Sequence, residues 1–264
     1  MPGALMAIVL SVYITACSEP DVDSSITELQ GRFGVQINYH PVDSLLPSVW
    51  RQAPYSGRVE PVIKHDLMRL LKVLNSGFDL YPRTVLDSNL DEIRVVRSLE
   101  LFGAQYAGTT LGNNIFMTAD SIAEGYDERQ FALIFHHEFS SILMRNYGFD
   151  TAAWIAINDD PLPYAQSPDQ MLAAIQNDAE IVGSPELYRR GLLASYGLAS
   201  PEDDANLYAE LIFTNPGKMH EIASEYATIR RKYQFLRDFY LKIDAGFKVA
   251  FDRVEDPKFP PWSS

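Results

Sequence analysis

The most informative segment of this sequence is residues 131–147, which read FALIFHHEFSSILMRNY. Large apolar residues recur in it at steps of three and four, and neither glycine nor proline interrupts them, so the stretch predicts a helix. His136, His137 and Glu138 lie in the middle of this apolar run. Because a carboxylate and two imidazoles are unfavourable to bury without partners, they predict a metal site, a polar network or a cleft.

The spacing of these side chains matches part of a zinc-binding helix pattern. In H-E-x-x-H, two imidazoles four residues apart face one metal ion, and the glutamate takes a proton from the metal-bound water. Here His137 and Glu138 fit the first two positions, but Ser141 stands where the second imidazole belongs. His136 lies about 100° away around the helix and cannot replace it. Since a neutral hydroxyl is a poor zinc ligand, the sequence predicts an incomplete metal motif.

The length and charge of the chain narrow the class of protein. Its 264 residues, 47% of them hydrophobic, suit one globular unit, and we expect a monomer. The net charge of −13 argues against a nucleic acid partner and against electrostatic docking on anionic lipid.

The N-terminus predicts export and lipid attachment. Residues 1–16 form an apolar run that is short for a membrane span, as in a signal peptide. The following ITAC, which ends at Cys17, resembles the lipobox of bacterial lipoproteins, although no Lys or Arg precedes the apolar run. That resemblance implies cleavage before Cys17, acylation of this only cysteine, and a membrane anchor. Ser18 beside it favours the outer membrane.

The first half of the chain predicts an α+β lobe. Residues 17–30 are interpreted as a tether, because their start is polar and acidic. Alternating and helical spacings follow, so residues 31–147 are expected to form a lobe with a small mixed sheet. Its predicted elements before the 131–147 helix are strands at 33–39, 93–102 and 114–118 and a helix at 62–74.

The second half of the chain predicts helices. Ser167, Ser184 and Ser200 each precede a proline, and this pair is typical of a helix N-cap followed by the first helical residue. Apolar residues from Ile222 to Phe247 follow a heptad-like spacing. They predict one long helix, packed on the rest of the domain, with a break near its end.

The helix predicted after Ser200 carries a polar stripe. Asp203, Asn206 and Glu210 stand three and four residues apart, so they project from one side of that helix. Two interpretations stay open for its acids. Glu202 and Asp203 in the first turn stabilise the helix through capping and the helix dipole, or they serve a site on the 131–147 helix.

The layout resembles the zincin peptidases and, among them, the zinc-binding metallopeptidases that occur as bacterial surface lipoproteins. The resemblance covers about residues 93–215 and implies one α+β, zincin-like domain over 31–264, whose helical lobe is 148–264. The stretches that carry it are residues 134–143, 187–196 and 202–210.

The resemblance also implies roles for single residues. His137 would be the first zinc ligand and Glu138 the general base. Glu202 would be the third, acidic ligand, with Asp203 next to it, and Glu210 would orient His137 from behind. The serine in place of the second histidine departs from the family pattern and leaves the zinc cofactor in question.

Two functions follow from this reading. The first is a metal-dependent peptidase, in which residues 114–118 align the substrate backbone and Glu138 activates a metal-bound water. The second is a non-catalytic surface lipoprotein that keeps the peptidase scaffold and uses its cleft to bind a peptide, a glycan or a protein. Loss of the second histidine favours the second function, and retention of the His-Glu pair favours the first.

Overall fold

The chain folds as a mixed α and β protein. The strands of the described chain precede residue 119, and the described residues after 127 form helices and loops. The predicted signal peptide, Cys17 and the start of the tether lie outside the described residues. The structure, a computed structural model, describes residues 21–119, 127–167, 170–171, 173 and 183–256.

Two small sheets account for the strands. The first is mixed, as predicted: β1, β3 and β7 are parallel, and β6 is antiparallel to β7, in the order β1-β3-β7-β6. The second is antiparallel, in the order β2-β4-β5. The strands are β1 (Gln36–Asn38), β2 (Arg58–Val59), β3 (Glu92–Val96), β4 (Leu99–Leu101), β5 (Ala104–Tyr106), β6 (Gly108–Leu111) and β7 (Asn114–Thr118).

Helices pack against the first sheet and make up most of the described residues in the second half of the chain. The helix predicted at 62–74 and the central helix at 131–147 are both confirmed as α3 and α5. The helices of the described chain are α1 (Val22–Phe33), α2 (Val42–Leu45), α3 (Lys64–Phe78), α4 (Arg83–Asn89), α5 (Glu128–Tyr147), α6 (Thr151–Ala156), α7 (Pro185–Arg189), α8 (Pro201–Thr214), α9 (Pro216–Glu225), α10 (Ala227–Ile243) and α11 (Lys248–Glu255).

The prediction of a tether at residues 17–30 was wrong for its second part, because helix α1 begins there at Val22. Four apolar residues at helical spacing, Val22, Ile26, Leu29 and Phe33, are buried against the core. The ring of Phe33 meets that of Phe78 edge-on at 5.0 Å. The polar residues between the four face solvent, which is why composition alone resembled a tether.

The strand predicted at 93–102 is two strands in different sheets. β3 pairs with β1 and β7, whereas β4 pairs with β2 and β5. Between them the chain bonds to the residue that follows β2: Arg97 N donates to Glu60 O at 2.8 Å, and Glu60 N donates to Ser98 O at 3.2 Å. The apolar alternation continues across the junction, so the sequence showed no break.

The prediction of one continuous helix from Ile222 to Phe247 was also wrong. The chain leaves helical geometry at Tyr226 (φ −111°, ψ 112°), between α9 and α10. Arg230 Nη1 donates to the carbonyls of Ala223 and Ser224 at 3.2 and 3.3 Å, so the end of α9 has partners for its carbonyls. The break predicted near the end is present, between α10 and α11.

α5 lies at the centre of the molecule. Its apolar side chains pack into the main core with residues of β3, β7 and α3, and α8 covers another of its sides. Phe131, Phe135, Phe139 and Ile142 on α5 are fully buried. Within the described residues, no helix has the length and apolar character needed to cross a membrane.

Candidate functional site

Local sequence fixes both ends of α5. Asp127 accepts a hydrogen bond from Gln130 N at 2.9 Å, and the Gln130 side chain accepts one from Asp127 N at 3.0 Å, which is a capping box. At the other end Gly148 adopts φ 64°, and its N–H donates to Met144 O. His136, His137 and Glu138 are thereby held in the middle of a rigid helix.

The two histidines have different surroundings. His136 is fully buried, stacks on Phe213 at 5.0 Å between ring centroids, and shares a hydrogen bond of 2.8 Å between Nδ1 and the Tyr81 hydroxyl. Burial, with a smaller effect of Arg253, lowers the pKa of His136 to about 3. It is therefore a neutral core histidine.

His137 lies between two carboxylates. Its Nδ1 is 2.6 Å from Glu210 Oε1, and its Nε2 is 3.4 Å from Asp203 Oδ1. Both carboxylates come from α8, and the side chain of Glu210 is only 6% exposed. Since a carboxylate accepts and does not donate when ionised, this arrangement favours an imidazole with a proton on each nitrogen.

The pKa shifts of His137, Asp203 and Glu210 agree with this geometry. Burial opposes the charge on His137, but the hydrogen bonds to Asp203 and Glu210 outweigh it and hold the pKa of His137 well above its usual value. Burial also acts on Asp203, yet contacts with His137, Ser200 and Tyr196 lower the pKa of that carboxyl. Burial raises the pKa of Glu210 despite its bond to His137.

Glu138 is the fourth titrating group of the site. Burial raises its pKa to about 7; His137 opposes this rise, and Asp203, Glu202 and Glu210 add to it. Gly108 of β6 lies directly beside it: a Cβ added there would stand 3.0 Å from Glu138 Oε1 and 2.6 Å from Ile134 Cγ2. The missing side chain of Gly108 thus leaves the space that Glu138 uses.

Asp203, rather than the Glu202 predicted as a ligand, takes the position beside Nε2 of His137. Glu202 is exposed on the first turn of α8. Ser200 caps that turn: its hydroxyl accepts from Asp203 N at 3.0 Å and donates to Asp203 Oδ2 at 2.6 Å. The hydroxyl of Tyr196 donates to Asp203 Oδ1 at 3.2 Å. These bonds turn Asp203 inward and leave Glu202 outside.

Ser141, one turn after His137, also has a partner on α8. Asn206 Nδ2 donates to Ser141 Oγ at 2.7 Å, and both residues are buried. The sequence placed Asn206 on the polar stripe of α8 but gave no sign of this contact. Gly108 and Tyr196 were likewise not predicted as site residues, because they lie outside α5 and α8, and Ser200 was predicted only as a helix N-cap.

The donors at this site do not fit a zinc ion. Zinc in proteins takes three or four nitrogen, sulfur or carboxylate donors arranged around one point. Among the described residues, the site has one imidazole, that of His137; its Nε2 faces Asp203, and the Ser141 hydroxyl accepts a hydrogen bond from the Asn206 amide. Among the residues that the structure describes, no three His, Cys, Asp or Glu side chains are placed to hold a metal ion.

The prediction that the strand Asn114–Thr118 aligns a substrate backbone was wrong. As β7 it pairs with β3 on one side and with β6 on the other, so both of its edges are occupied. β6 is the edge strand beside α5. In the part of the chain that is described, no strand pairs with its outer side.

The backbone of β6 presents polar groups along this edge. Thr118 N donates to Ala107 O at 3.0 Å, which makes Ala107 and Thr118 a hydrogen-bonded pair. Because such pairs alternate along antiparallel strands, Thr109 bonds toward β7, whereas the N–H and C=O of Gly108 and Thr110 point to the outer edge. Gly108 therefore joins an open backbone edge to the Glu138 carboxylate.

In comparisons with known proteins, the chain matches no protein-family model, no curated protein and no solved structure. The resemblance to the zincin peptidases therefore depends on the residues of the His137 helix and of α8.

Proposed function

We propose that this chain is a lipid-anchored bacterial surface protein that binds a peptide in extended conformation on a zincin-like scaffold and does not cut it by zinc chemistry. The observation that carries the proposal is the outer edge of β6. There the backbone of Gly108 lies beside the carboxylate of Glu138, with no Cβ between them.

An open edge strand is a template for another strand. Main-chain bonds to the outward groups of Gly108 and Thr110 supply affinity for any extended segment. Side chains of that segment alternate between two faces, so every second one lies over α5 near Glu138. This mode of recognition does not need the second histidine, which the metal motif lacks.

The charges at the site favour a ligand with lysine or arginine. Three carboxylates, Glu138, Asp203 and Glu210, act on one imidazole, His137, and the charge of the exposed Glu202 also acts on Glu138. The whole chain carries a net charge of −13. A basic side chain placed over α5 gains from this field, whereas an acidic one is repelled.

Metal-dependent hydrolysis is the weaker candidate. It would need a second strong ligand near His137, and the position that should supply it, Ser141, is bonded to Asn206. We therefore assign no bond-breaking step to the site. The lipobox-like ITAC, which ends at Cys17, supports a membrane anchor that holds the binding edge at the cell surface.

The test compares two substitutions at Thr110. Thr110→Pro removes an outward N–H without breaking a bond to β7, whereas Thr110→Ala keeps that N–H. The probes are arrays of short extended peptides with central lysine or arginine, and matched peptides with aspartate at that place. Binding is measured by fluorescence polarisation with the chain from residue 18 onward.

We expect the wild type and Thr110→Ala to bind basic peptides, and Thr110→Pro to bind them at least about tenfold more weakly, the equivalent of one lost hydrogen bond. If Thr110→Pro binds the peptides as tightly as the wild type and is folded by circular dichroism, the β6 edge is not the binding site. Hydrolysis of the peptides that depends on added zinc and on His137 would favour the peptidase instead.

A further inference from the structure

The hairpin of β4 and β5 ends in an exposed aromatic residue. Leu101 pairs with Ala104, so Phe102 and Gly103 alone form the turn. Phe102 adopts φ 54°, in the left-handed region, and is 55% exposed. Two-residue turns favour asparagine, aspartate or glycine, because a bulky side chain is unfavourable at positive φ. A phenylalanine in this place does not help the fold, and it therefore indicates a role in binding.

A loop beside the hairpin adds a second aromatic and an apolar side chain. Phe102 N donates to Tyr55 O at 2.7 Å, and the two rings lie 4.9 Å apart. Tyr55 stacks in turn on Trp50, and Val49 next to Trp50 is 55% exposed. Among the described residues, Ser56 on this loop and Phe102 are the non-glycine residues with positive φ. We call the surface of Val49, Tyr55 and Phe102 the aromatic tip.

The hairpin leaves the first sheet at the carboxyl ends of its parallel strands. β4 begins three residues after Val96, which ends β3, and β6 begins two residues after Tyr106, which ends β5. Val96 pairs with Thr118, and Gly108 pairs with Met117, so both connections lie where β7 finishes. The base of the hairpin is therefore at the carboxyl ends of β3 and β7.

Helix α1 begins at the same end of the sheet. Its first turn bonds to the residue that follows β1, because the Tyr39 hydroxyl donates to Asp23 Oδ1 at 3.0 Å. β1 is parallel to β3, so the carboxyl ends of the two strands are neighbours. Val22, the first residue of α1, comes five positions after Cys17, and five residues span at most about 18 Å. An acyl chain on Cys17 therefore keeps a membrane close to this end of the molecule.

We infer that the aromatic tip inserts into the surface of the membrane that holds the acylated Cys17, and that it fixes the orientation of the domain on that membrane. The inference rests on the lipid anchor of the proposed function and not on its peptide-binding edge. Aromatic side chains are favoured at the boundary between lipid and water. Because the anchor already holds the chain at the membrane, a small apolar surface is sufficient for a second contact.

The charges around the aromatic tip do not oppose this contact. Residues 46–60 and 97–106 carry three arginines and two glutamates, so the net charge of −13 comes from the rest of the chain. The Arg58 side chain is 79% exposed. Such a side chain lays its stem along apolar surface and keeps its charge among lipid phosphates. The contact is thus mainly apolar, with basic groups at its border.

The test places a tryptophan at the aromatic tip as a probe of depth. Phe102→Trp and Val49→Trp are made in the acylated protein purified from membranes, and mass spectrometry verifies the acyl group on Cys17. Leu111→Trp is the matched control, because Leu111 is 40% exposed and pairs with Asn114 at the amino end of β7. Each protein is reconstituted in phosphatidylcholine vesicles, with or without bromine on the acyl chains.

Bromine on the acyl chains quenches a tryptophan that lies in the bilayer. After subtraction of the wild-type signal, we expect quenching at positions 102 and 49 to be at least about threefold greater than at position 111. Phe102→Asn in the Val49→Trp protein is expected to reduce that quenching by about half or more, since asparagine accepts positive φ but is polar. Circular dichroism establishes that each variant is folded.

Three results would overturn the inference. Equal quenching at positions 49, 102 and 111 in folded, acylated proteins would exclude insertion and leave the anchor intact. Absence of an acyl group on Cys17 would refute the anchor and the inference with it. Shielding of the tip tryptophans from acrylamide that grows with protein concentration, without quenching by bromine, would show that a second copy of the chain covers the tip. No peptide takes part in these measurements, so the peptide-binding proposal is tested separately.

Discussion

Glu210 accepts a hydrogen bond from Nδ1 of His137 at 2.6 Å and thereby joins the middle of α5 to α8. The pair is almost fully shielded from water. In the zincin-like interpretation, this contact orients a metal ligand. In the structure, it holds an imidazole whose other nitrogen faces Asp203.

Glu210→Gln is expected to lower the pKa of His137. Burial already disfavours the charged imidazole, and the variant removes one of the two carboxylates that outweigh burial. The titration of His137 is followed by NMR in the wild type and the variant. Glu28→Gln, on the exposed side of α1, removes a distant charge as the control. An unchanged His137 titration in Glu210→Gln would contradict a direct contact between Glu210 and the imidazole.

Glu138→Gln is expected to stabilise the fold above pH 7 by about 3 kcal/mol. The folded-state pKa of Glu138, about 7, exceeds the ordinary value of 4.5, so the folded state binds more protons than the unfolded state between these values. Stability therefore falls as pH rises from 4.5 to 7, and the variant escapes this loss.

The difference between Glu138→Gln and the wild type should vanish below pH 4.5, because both states of the wild type are then protonated. Urea unfolding at several pH values from 4 to 8 measures it. Glu28→Gln again serves as the control and should show no such dependence. A gain that is equal at pH 4 and pH 8 would show that removal of the charge is not its cause.

Lys232→Met is expected to destabilise the protein by about 3–5 kcal/mol, because it leaves a buried charge without its partner. Lys232 Nζ is 2.6 Å from Asp204 Oδ2, and both side chains are fully buried. The same oxygen accepts hydrogen bonds from Trp154 and Tyr164. Chemical denaturation gives the free energy of unfolding.

The double variant Lys232→Met with Asp204→Asn is the matched control for the ion pair. It removes both charges and should recover part of the stability lost in Lys232→Met. A single variant that loses less than about 1 kcal/mol, or a double variant that is less stable than the single one, would contradict a paired charge in the core.

Cys17→Ala is expected to abolish lipid attachment. The lipobox-like ITAC predicts that this thiol carries the acyl chains, and the chain contains no other cysteine. Labelled palmitate incorporation and membrane fractionation measure the effect in a bacterial host. Ser18→Asp keeps the Cys17 thiol. It is expected to leave lipid attachment intact and to change only which membrane, inner or outer, retains the protein. Palmitate labelling that persists in Cys17→Ala would refute the anchor.

Local sequence predicted much of the scaffold. The unbroken apolar spacing of α5, the strand at Asn114–Thr118, and the Ser-Pro starts of α7 and α8 are all present. Ser184 and Ser200 act as N-caps through their side chains, as their sequence context predicted. Each of these features depends on neighbours within a few residues, which is the range over which propensity and capping act.

Features that depend on distant partners were mispredicted. The stretch taken as a tether becomes helix α1 because the core offers a surface for Val22, Ile26, Leu29 and Phe33. The strand Asn114–Thr118 was predicted to meet the substrate, but the open edge belongs to β6, because the order of strands depends on the whole sheet. Neither fact is encoded in residues near those segments.

The residue pattern alone predicted that His137 and Glu138 lie on a buried helix and that acids and an asparagine follow on α8. Which of these side chains meet depends on how the two helices pack. Glu202 and Asp203 are adjacent in sequence but point about 100° apart on a helix, so the rotation of α8 against α5 selects Asp203 for the imidazole. The same rotation brings Asn206 to Ser141.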